Sequence, residues 1–216
     1  MSDIMKLKET TGAGVLECKK ALDEVGGDFE KAVALLREKG KASAAKKSAS
    51  NRIASEGAIG VYDHQGKGNI VVMVEINSET DFAAKSEPFQ ELLKDVAMQI
   101  AATNPLYLCE ADVPSAVIEN EKEILLKQAV NEGKKPEVAQ KMVEGRVSKF
   151  YKENCLLNQE FVKDGSKTIK DIVAETIAKI GEKLTIRRFV RYEVGEGLEK
   201  KEENFAEEVA KQTQAK

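Results

Sequence analysis

The sequence predicts an α+β protein in which a small helical region precedes an antiparallel sheet covered by helices. Three observations favour this class. Two runs within the first 40 residues place apolar residues at helical spacing, later segments alternate as β-strands do, and long helical patterns separate those segments. The chain has 216 residues, which is enough for a real core and for one or two domains.

Residues 1–40 predict a bundle of about three helices. A first pattern stops at the pair Gly26 and Gly27, and its apolar residues are Val15, Cys18, Leu22 and Val25. Asp28 is suited to cap the next helix, whose apolar stripe is Phe29, Ala32, Val33 and Leu36. A bundle this small is not expected to be very stable alone.

Residues 41–56 predict a linker, because Ala, Ser and Lys dominate and no apolar periodicity is present. A tether or a solvated helix is the favoured interpretation. The alternative is a basic arm that contacts phosphate groups.

Residues 57–197 predict the α+β core, beginning with a β-hairpin. Ile59 and Val61 lie in the first strand, and the apolar run from Ile70 to Ile76 forms the second. A polar loop, Thr80–Ala83, follows. Ser86 and Pro88 then open a helix that ends before Pro105, with the buried stripe Phe89, Leu92, Leu93, Val96 and Ile100.

Two helices in succession, one starting near Pro114 and one at Pro136, predict a helical hairpin over about residues 112–153. A further helix ends at Gly181. The segment "LTIRRFVRYEV" alternates as a last strand, giving about three strands, with Leu184, Ile186, Val190, Tyr192 and Val194 on one face. Arg187 and Arg191 lie on the other, where exposure to solvent is favoured over contact with phosphates.

Residues 198–216 predict an amphipathic tail, with Leu198, Phe205 and Val209 as its apolar stripe. The N-terminus "MSDIMKLKETTG" lacks the apolar stretch of a signal peptide, and no run is long enough to span a membrane. Three widely spaced cysteines predict no disulfide framework and suit a reducing cytoplasm.

Several classes of function are disfavoured. The net charge of −3 gives no general attraction to nucleic acid, and His64, the single histidine, rules out a multi-histidine metal site. The "GKG" at residues 66–68 has the wrong spacing for a phosphate-binding loop. No nucleophile stands beside a base in any usual motif. We therefore expect a binding protein without cofactor or metal rather than an enzyme.

Four segments resemble the translation elongation factor Ts family, in that family's order. They are "LKETTGAGVLECKKAL" (7–22), "EINSETDFAAK" (75–85), "KMVEGRVSKFYKE" (141–153) and "FVRYEVGEG" (189–197). Glu17, Lys8 and Ala83 depart from the family's usual Asp, Arg and Val. Long members of the family have two related core halves, whereas this sequence resembles one.

The resemblance implies a guanine-nucleotide exchange factor for the GTPase elongation factor Tu, which releases GDP by displacing magnesium and phosphate contacts. It implies that Thr80, Asp81, Phe82 and Ala83 contact the GTPase, with Phe82 as a wedge. The residues alone favour Phe82 as a plug in the core. The resemblance also implies a ubiquitin-associated-like (UBA-like) fold for residues 1–40, which would dock on the GTPase through Thr11, Gly12, Ala13, Gly14, Val15 and Lys19.

Two further expectations concern assembly and partners. A single core half with open sheet edges predicts a homodimer that recreates the two-half arrangement. In the tail, Phe205 and Val209 contact either the GTPase or the chain's own core. The rival function is an RNA- or ribosome-binding module that uses the Lys-rich linker with Arg187, Arg188 and Arg191, and its affinity would fall steeply with salt.

Overall fold

The structure is a computed structural model that describes residues 3–131 and 136–198 of the chain. It has the predicted α+β architecture: helices α1–α3 come first, and a three-stranded antiparallel sheet covered by helices follows. The predicted tail contacts Phe205 and Val209 lie outside the described residues.

The three N-terminal helices form where the sequence predicts them: α1 spans Asp3–Thr11, α2 spans Val15–Glu24 and α3 begins at Phe29. Asp28 caps α3, since its Oδ1 accepts a hydrogen bond from the backbone N–H of Lys31 at 3.1 Å. The core shared by these helices consists of Leu7, Cys18, Ala21, Leu22, Ala32, Val33 and Leu36. Val15 was expected in this stripe but is exposed, because it occupies the first turn of α2 beyond the packed face.

Helix α3 is longer than the sequence predicts and continues to Ser48. Residues 41–48, predicted to be a tether or a solvated helix, therefore form a helix that is partly packed, and the extended segment begins near residue 49. Ala44 explains the difference, because its methyl group is buried in the main core. Lys41 also donates a hydrogen bond to Asp171 of α8 at 2.8 Å. A single buried alanine in the last two turns of α3 is too weak a periodic signal to predict a buried helix face from the sequence.

The sheet consists of β1 (Glu56–Asp63), β2 (Ile70–Ser78) and β5 (Leu184–Glu193) in the order β1-β2-β5, with both neighbouring pairs antiparallel. Its inner face carries Val72, Val74 and Ile76 of β2. These side chains share one core cluster with α5 (Glu87–Thr103) and α8 (Ile169–Ile180). The sheet thus has a covered inner face and an outer face without helices among the described residues.

Strand β5 departs from its predicted alternation at Arg187. The pairing with β2 shifts by one residue between Glu75 and Ile76, so that Arg188 pairs with Glu75 and Ile186 with Ile76. Such a bulge turns every later side chain to the opposite face. Leu184 and Ile186 point inward as predicted, whereas Val190 and Tyr192 lie on the outer face.

The predicted helical hairpin is present as α6 (Ser115–Asn131) and α7 (Pro136–Asn154). Its buried contacts come from Ile118 on α6 with Val143 and Val147 on α7. A second, two-stranded sheet of β3 (Glu160–Phe161) and β4 (Asp164–Thr168) was not expected from the sequence. Within the described ranges, no helix is both long and apolar enough to cross a membrane.

Candidate functional site

The segment expected to be a polar loop contains a one-turn helix, α4 (Asp81–Lys85). Thr80 is its N-cap, and its Oγ1 accepts a hydrogen bond from the N–H of Ala83 at 3.2 Å. At the other end, the N–H and hydroxyl of Ser86 both donate to the Ala83 carbonyl, at 3.1 and 2.6 Å. The sequence offered a signal for this helix, since Thr80 followed by Asp81 is a typical helix start.

Phe82 is 80% exposed on the outward side of α4, while Ala83 and Ala84 are each 5% exposed on its inward side. The interpretation of Phe82 as a core plug is therefore wrong for this chain. The placement of Ala83 also differs from what a partner contact needs, because its methyl group faces the core. A larger residue at position 83 would extend inward rather than toward a partner.

Asp81 and Lys85 form an ion pair across α4, with Nζ and Oδ2 separated by 2.6 Å. The hydrogen bond from Lys85 keeps the pKa of Asp81 below its ordinary value. The Lys85 ammonium also lies 5.9 Å from the centre of the Phe82 ring. Phe82 is thus an exposed aromatic ring beside one ion pair, on a helix whose two ends are both hydrogen-bonded.

The turn before α4 is joined to the turn before β5 by two carboxylates, neither of which the sequence placed among the site residues. Glu79 accepts a hydrogen bond from the N–H of Lys183 at 2.8 Å, and it pairs with Arg52 at 3.1 Å. Glu182 accepts hydrogen bonds from the N–H and the hydroxyl of Thr80, at 3.0 and 2.8 Å. No local pattern could reveal these contacts, because Thr80 and Glu182 are 102 positions apart.

The backbone N–H of Lys183 and the Arg52 side chain both act on Glu79, and the hydrogen bond from Lys183 is the main cause of its lowered pKa. The Lys183 Nζ reaches further, donating to the carbonyl of Ser50 at 2.7 Å. The extended segment after α3 is therefore attached to the same pair of turns that holds α4.

The second predicted contact region, Thr11 to Lys19, forms the turn between α1 and α2 and the start of α2. Gly12 has a φ of 70°, which suits glycine, and a Cβ there would lie 3.0 Å from the Lys179 side chain. Val15 and Lys19 are exposed, as a docking surface requires. The neighbouring Leu16, which the sequence analysis did not select, is the most exposed apolar side chain of this region at 74%.

Thr11, Ala13 and Gly14 are less available to a partner, because they shape the turn itself. The Thr11 hydroxyl donates to the Leu7 carbonyl at 2.7 Å, and the N–H of Ala13 donates to Thr11 Oγ1 at 3.3 Å. The N–H of Gly14 donates to the Glu17 carboxylate at 3.3 Å. Gly12 and Gly14 are exposed but offer no side chain, so the exposed side chains among the predicted docking residues are Val15 and Lys19, with Leu16 beside them.

The arginines of β5 are engaged within the chain. Arg187 and Arg188 donate to the two oxygens of Glu75, at 2.9 and 2.7 Å. Arg187, followed by Arg188, keeps the Glu75 carboxyl ionised and lowers its pKa to about 2. The prediction that Arg191 lies on an exposed face is wrong, because the bulge at Arg187 turns it inward.

The Arg191 side chain is only 8% exposed. Its Nη2 pairs with Glu193 at 2.6 Å and its Nε donates to the Ala101 carbonyl at 3.3 Å. Its Nη1 lies 3.8 Å from Glu196, near enough for attraction between charges but too far for a hydrogen bond. Arg191 therefore holds β5 to the end of α5.

The cysteines and acidic residues form no further reactive site in the parts of the chain that are described. Cys18 and Cys155 are buried as free thiols, and Cys109 is partly exposed. Burial raises the pKa of Cys155 to about 11, and burial together with the Asp112 contact raises that of Cys109. In residues 3–131 and 136–198, no three His, Cys, Asp or Glu side chains are grouped to hold a metal ion.

Comparison with known proteins gives a single answer. Residues 3–196 match the protein family described as Elongation factor TS. Elongation factor Ts of Alkaliphilus oremlandii is 59% identical over 211 residues, which cover 98% of this chain and 96% of that protein. Elongation factor Ts of Desulfitobacterium hafniense is 58% identical over 211 residues with the same two coverages, and that of Alkaliphilus metalliredigens is 60% identical over 209 residues, or 97% and 95%. The chain belongs to the elongation factor Ts family.

Proposed function

We propose that this protein is a guanine-nucleotide exchange factor for elongation factor Tu, and that Phe82 displaces the contacts that hold GDP. Membership of the elongation factor Ts family supports a role in nucleotide exchange on that GTPase in general. The observation that supports the finer mechanism is the exposure of Phe82 on a helix fixed at both ends. An exchange factor needs no covalent chemistry of its own.

The mechanism follows from how a GTPase holds GDP. A phosphate-binding loop and a magnesium ion contact the phosphate oxygens, and moving either group weakens nucleotide binding. A protein that binds better to the displaced arrangement shifts the population toward it. Phe82 suits this role, because a large apolar ring that is exposed in the free factor gains most by entering a pocket on the partner.

Docking of the factor on the GTPase needs a second surface, and residues 15–19 of α2 are suited to it. Val15 and Leu16 offer exposed apolar area, and Lys19 adds a positive charge at its border. We infer that this surface of the UBA-like bundle provides affinity, while Phe82 provides the change in nucleotide binding. Thr80 and Asp81 act next to Phe82: Thr80 caps α4, and Asp81 forms an ion pair with Lys85 of the same helix.

The RNA- or ribosome-binding alternative has less support. Of its three arginines, Arg191 is buried, and the other two share the Glu75 carboxylate. A phosphate group bound by their remaining N–H donors would lie beside that carboxylate, which repels it. Of the Lys-rich segment, residues 41–48 belong to α3.

We also propose that the protein is a homodimer that acts in the cytoplasm. The outer face of the sheet carries exposed Ile59, Val61, Met73, Val190 and Tyr192. A contiguous apolar face of this kind is typical of a protein interface. A second copy stacked on it would provide the second core half that long members of the family contain.

The direct test is release of labelled GDP from elongation factor Tu with Phe82→Ala. A buried aromatic anchor is typically worth about 2 kcal/mol, so GDP release should slow roughly tenfold or more. The unfolding midpoint should stay close to that of the parent protein, because Phe82 is exposed. Leu106→Ala is the matched control, since Leu106 is a 62% exposed apolar residue outside the site. Unchanged GDP release by Phe82→Ala would contradict the wedge.

A further inference from the structure

The turn that leads into α4 and the turn that leads into β5 each contribute one glutamate that accepts hydrogen bonds from the other turn. Ser78 pairs with Leu184 in the sheet, so the residues that follow β2 lie beside those that precede β5. Glu79 reaches across to the N–H of Lys183, at 2.8 Å. Glu182 reaches back to Thr80, accepting from its N–H at 3.0 Å and from its hydroxyl at 2.8 Å.

The Thr80 hydroxyl connects Glu182 to α4. A hydroxyl has one proton to donate and lone pairs with which to accept. Because the proton of Thr80 is directed at Glu182, its oxygen is oriented to accept from the N–H of Ala83, at 3.2 Å. Glu182 therefore sets the direction of the hydrogen bond that caps α4.

A helix of five residues is not stable by its own hydrogen bonds, so its orientation depends on such external contacts. Ala83 and Ala84 hold its inward side by burial, and Ser86 holds its C-terminal end. The N-terminal end is held by Thr80, and Thr80 is held by Glu182. Phe82 lies within one turn of that end.

We propose that Glu182 is a positioning residue for nucleotide exchange, which holds Phe82 in its active orientation through the Thr80 cap. This inference rests on the proposed role of Phe82. Glu182 is distant in sequence from the family segment 75–85, and it acts without contacting the partner. Its effect on exchange is carried by the angle at which α4 presents the Phe82 ring.

The test uses Glu182→Gln, which keeps the size of the side chain. A carboxylate accepts two hydrogen bonds from Thr80, whereas an amide accepts through its one oxygen and presents an NH₂ donor beside it. If the amide oxygen keeps the bond from the Thr80 N–H, the Thr80 hydroxyl loses the acceptor for its proton, and the NH₂ group competes with the Ala83 N–H for its oxygen. We expect GDP release from elongation factor Tu, at saturating factor and per folded molecule, to slow about fivefold or more, since small misplacements of an acting group have large kinetic effects.

Glu175→Gln is the matched control. Glu175 is also an acidic residue of the α8 region and accepts from Lys167 at 2.8 Å, but it makes no contact with the Thr80 turn. Loss of the Glu175 charge should leave GDP release unchanged. Circular dichroism and the unfolding midpoint of each variant give the folded fraction, so a stability effect is separated from an effect on exchange.

The decisive measurement repeats Glu182→Gln in the Phe82→Ala background. If Glu182 acts through Phe82, the second substitution adds little further slowing, and the two effects are strongly non-additive. Equal slowing in both backgrounds, or no slowing in either, would overturn the positioning role. If Phe82→Ala alone leaves GDP release unchanged, the proposed function of Phe82 fails first and the inference fails with it. If Phe82→Ala slows release and Glu182→Gln does not, only the inference about Glu182 fails.

Discussion

At the scale of single residues, the environment of a carboxylate decides whether a nearby arginine can bind a partner. Glu75 lies on the outer face of the sheet and accepts from Arg187, Arg188 and, at 3.3 Å, from Asn77. Arg187 and Arg188 lower its pKa to about 2. The two arginines are thereby held against the sheet, and Glu75 matches one of their two positive charges.

This ion cluster predicts a specific dependence of stability on pH. A carboxyl whose pKa is lower in the folded protein stabilises the fold above its unfolded pKa, and that stabilisation is lost as pH falls through the folded pKa. Glu75 should therefore contribute fully at pH 7 and lose its contribution between about pH 5 and pH 2. Glu75→Gln should lower the free energy of unfolding at pH 7 and reduce its decline toward pH 2.

Urea unfolding at several pH values between 7 and 2 measures this effect. Glu123→Gln is the control, because Glu123 forms an exposed pair with Lys127 within α6 and such pairs contribute little. A difference between the parent protein and Glu75→Gln that stays constant across the pH range would mean that Glu75 has no depressed pKa in the folded state.

At the scale of elements, α3 joins the N-terminal bundle to the core. Its first half packs with α1 and α2 through Val33 and Leu36, and its second half places Ala44 in the main core. Gly40 permits this approach, because a Cβ there would lie 3.3 Å from the Ala178 methyl group of α8. Deletion of residues 1–50 would remove core contacts as well as a docking surface, so a shorter perturbation is needed to test this helix.

Two substitutions, placed two residues apart, test whether residues 41–48 form a packed helix or a solvated linker. Ala44→Asp places a charge in the core without a partner and should destabilise the protein by about 3 kcal/mol or more. Ala42→Asp changes an exposed position of the same helix and should have an effect within roughly 0.5 kcal/mol. Chemical denaturation of both variants checks this, and equal midpoints would show that residues 41–48 behave as a linker.

Local signals explain which elements the sequence could predict. Asp28, Ser86, Pro88 and Gly181 mark helix ends through interactions within a few residues, so the starts of α3 and α5 and the end of α8 were predictable to within a turn. The bulge at Arg187 was not predictable, since it depends on the register between β5 and β2. The alternation of β5 was therefore read one residue out of phase after Ile186, and Arg191 was assigned to the wrong face.

At the scale of the whole molecule, the sequence predicted the position of the proposed contact segment, but neither its helix nor the contacts that hold it. Phe82 could be selected because a lone aromatic in a polar segment, together with the family resemblance, indicates a contact residue. The hydrogen bonds of Glu79 with Lys183 and of Glu182 with Thr80 form only when the pairing of β2 with β5 brings their two turns together. Contacts of that range have no local sequence signature, so they emerge from the fold alone.

The outer face of the sheet is the surface on which we propose that a second copy of the chain packs. Val61, Met73 and Val190 lie in adjacent positions across β1, β2 and β5, and Met73 is central because it pairs with both of the others. All three are exposed. If two copies stack through this face, Met73 lies near the centre of the interface, where substitutions affect binding most.

Met73→Glu should therefore convert a dimer into a monomer, since a charge buried between two apolar faces is unfavourable without a partner. Sedimentation or light scattering at micromolar concentration should give twice the mass of one chain for the parent protein and the mass of one chain for the variant. Leu16→Glu is the matched control, because Leu16 is equally apolar and more exposed but lies on α2. The Leu16→Glu variant should keep the mass of the dimer. A parent protein with the mass of a single chain would contradict the homodimer, and a dimer that survives Met73→Glu would place the interface elsewhere.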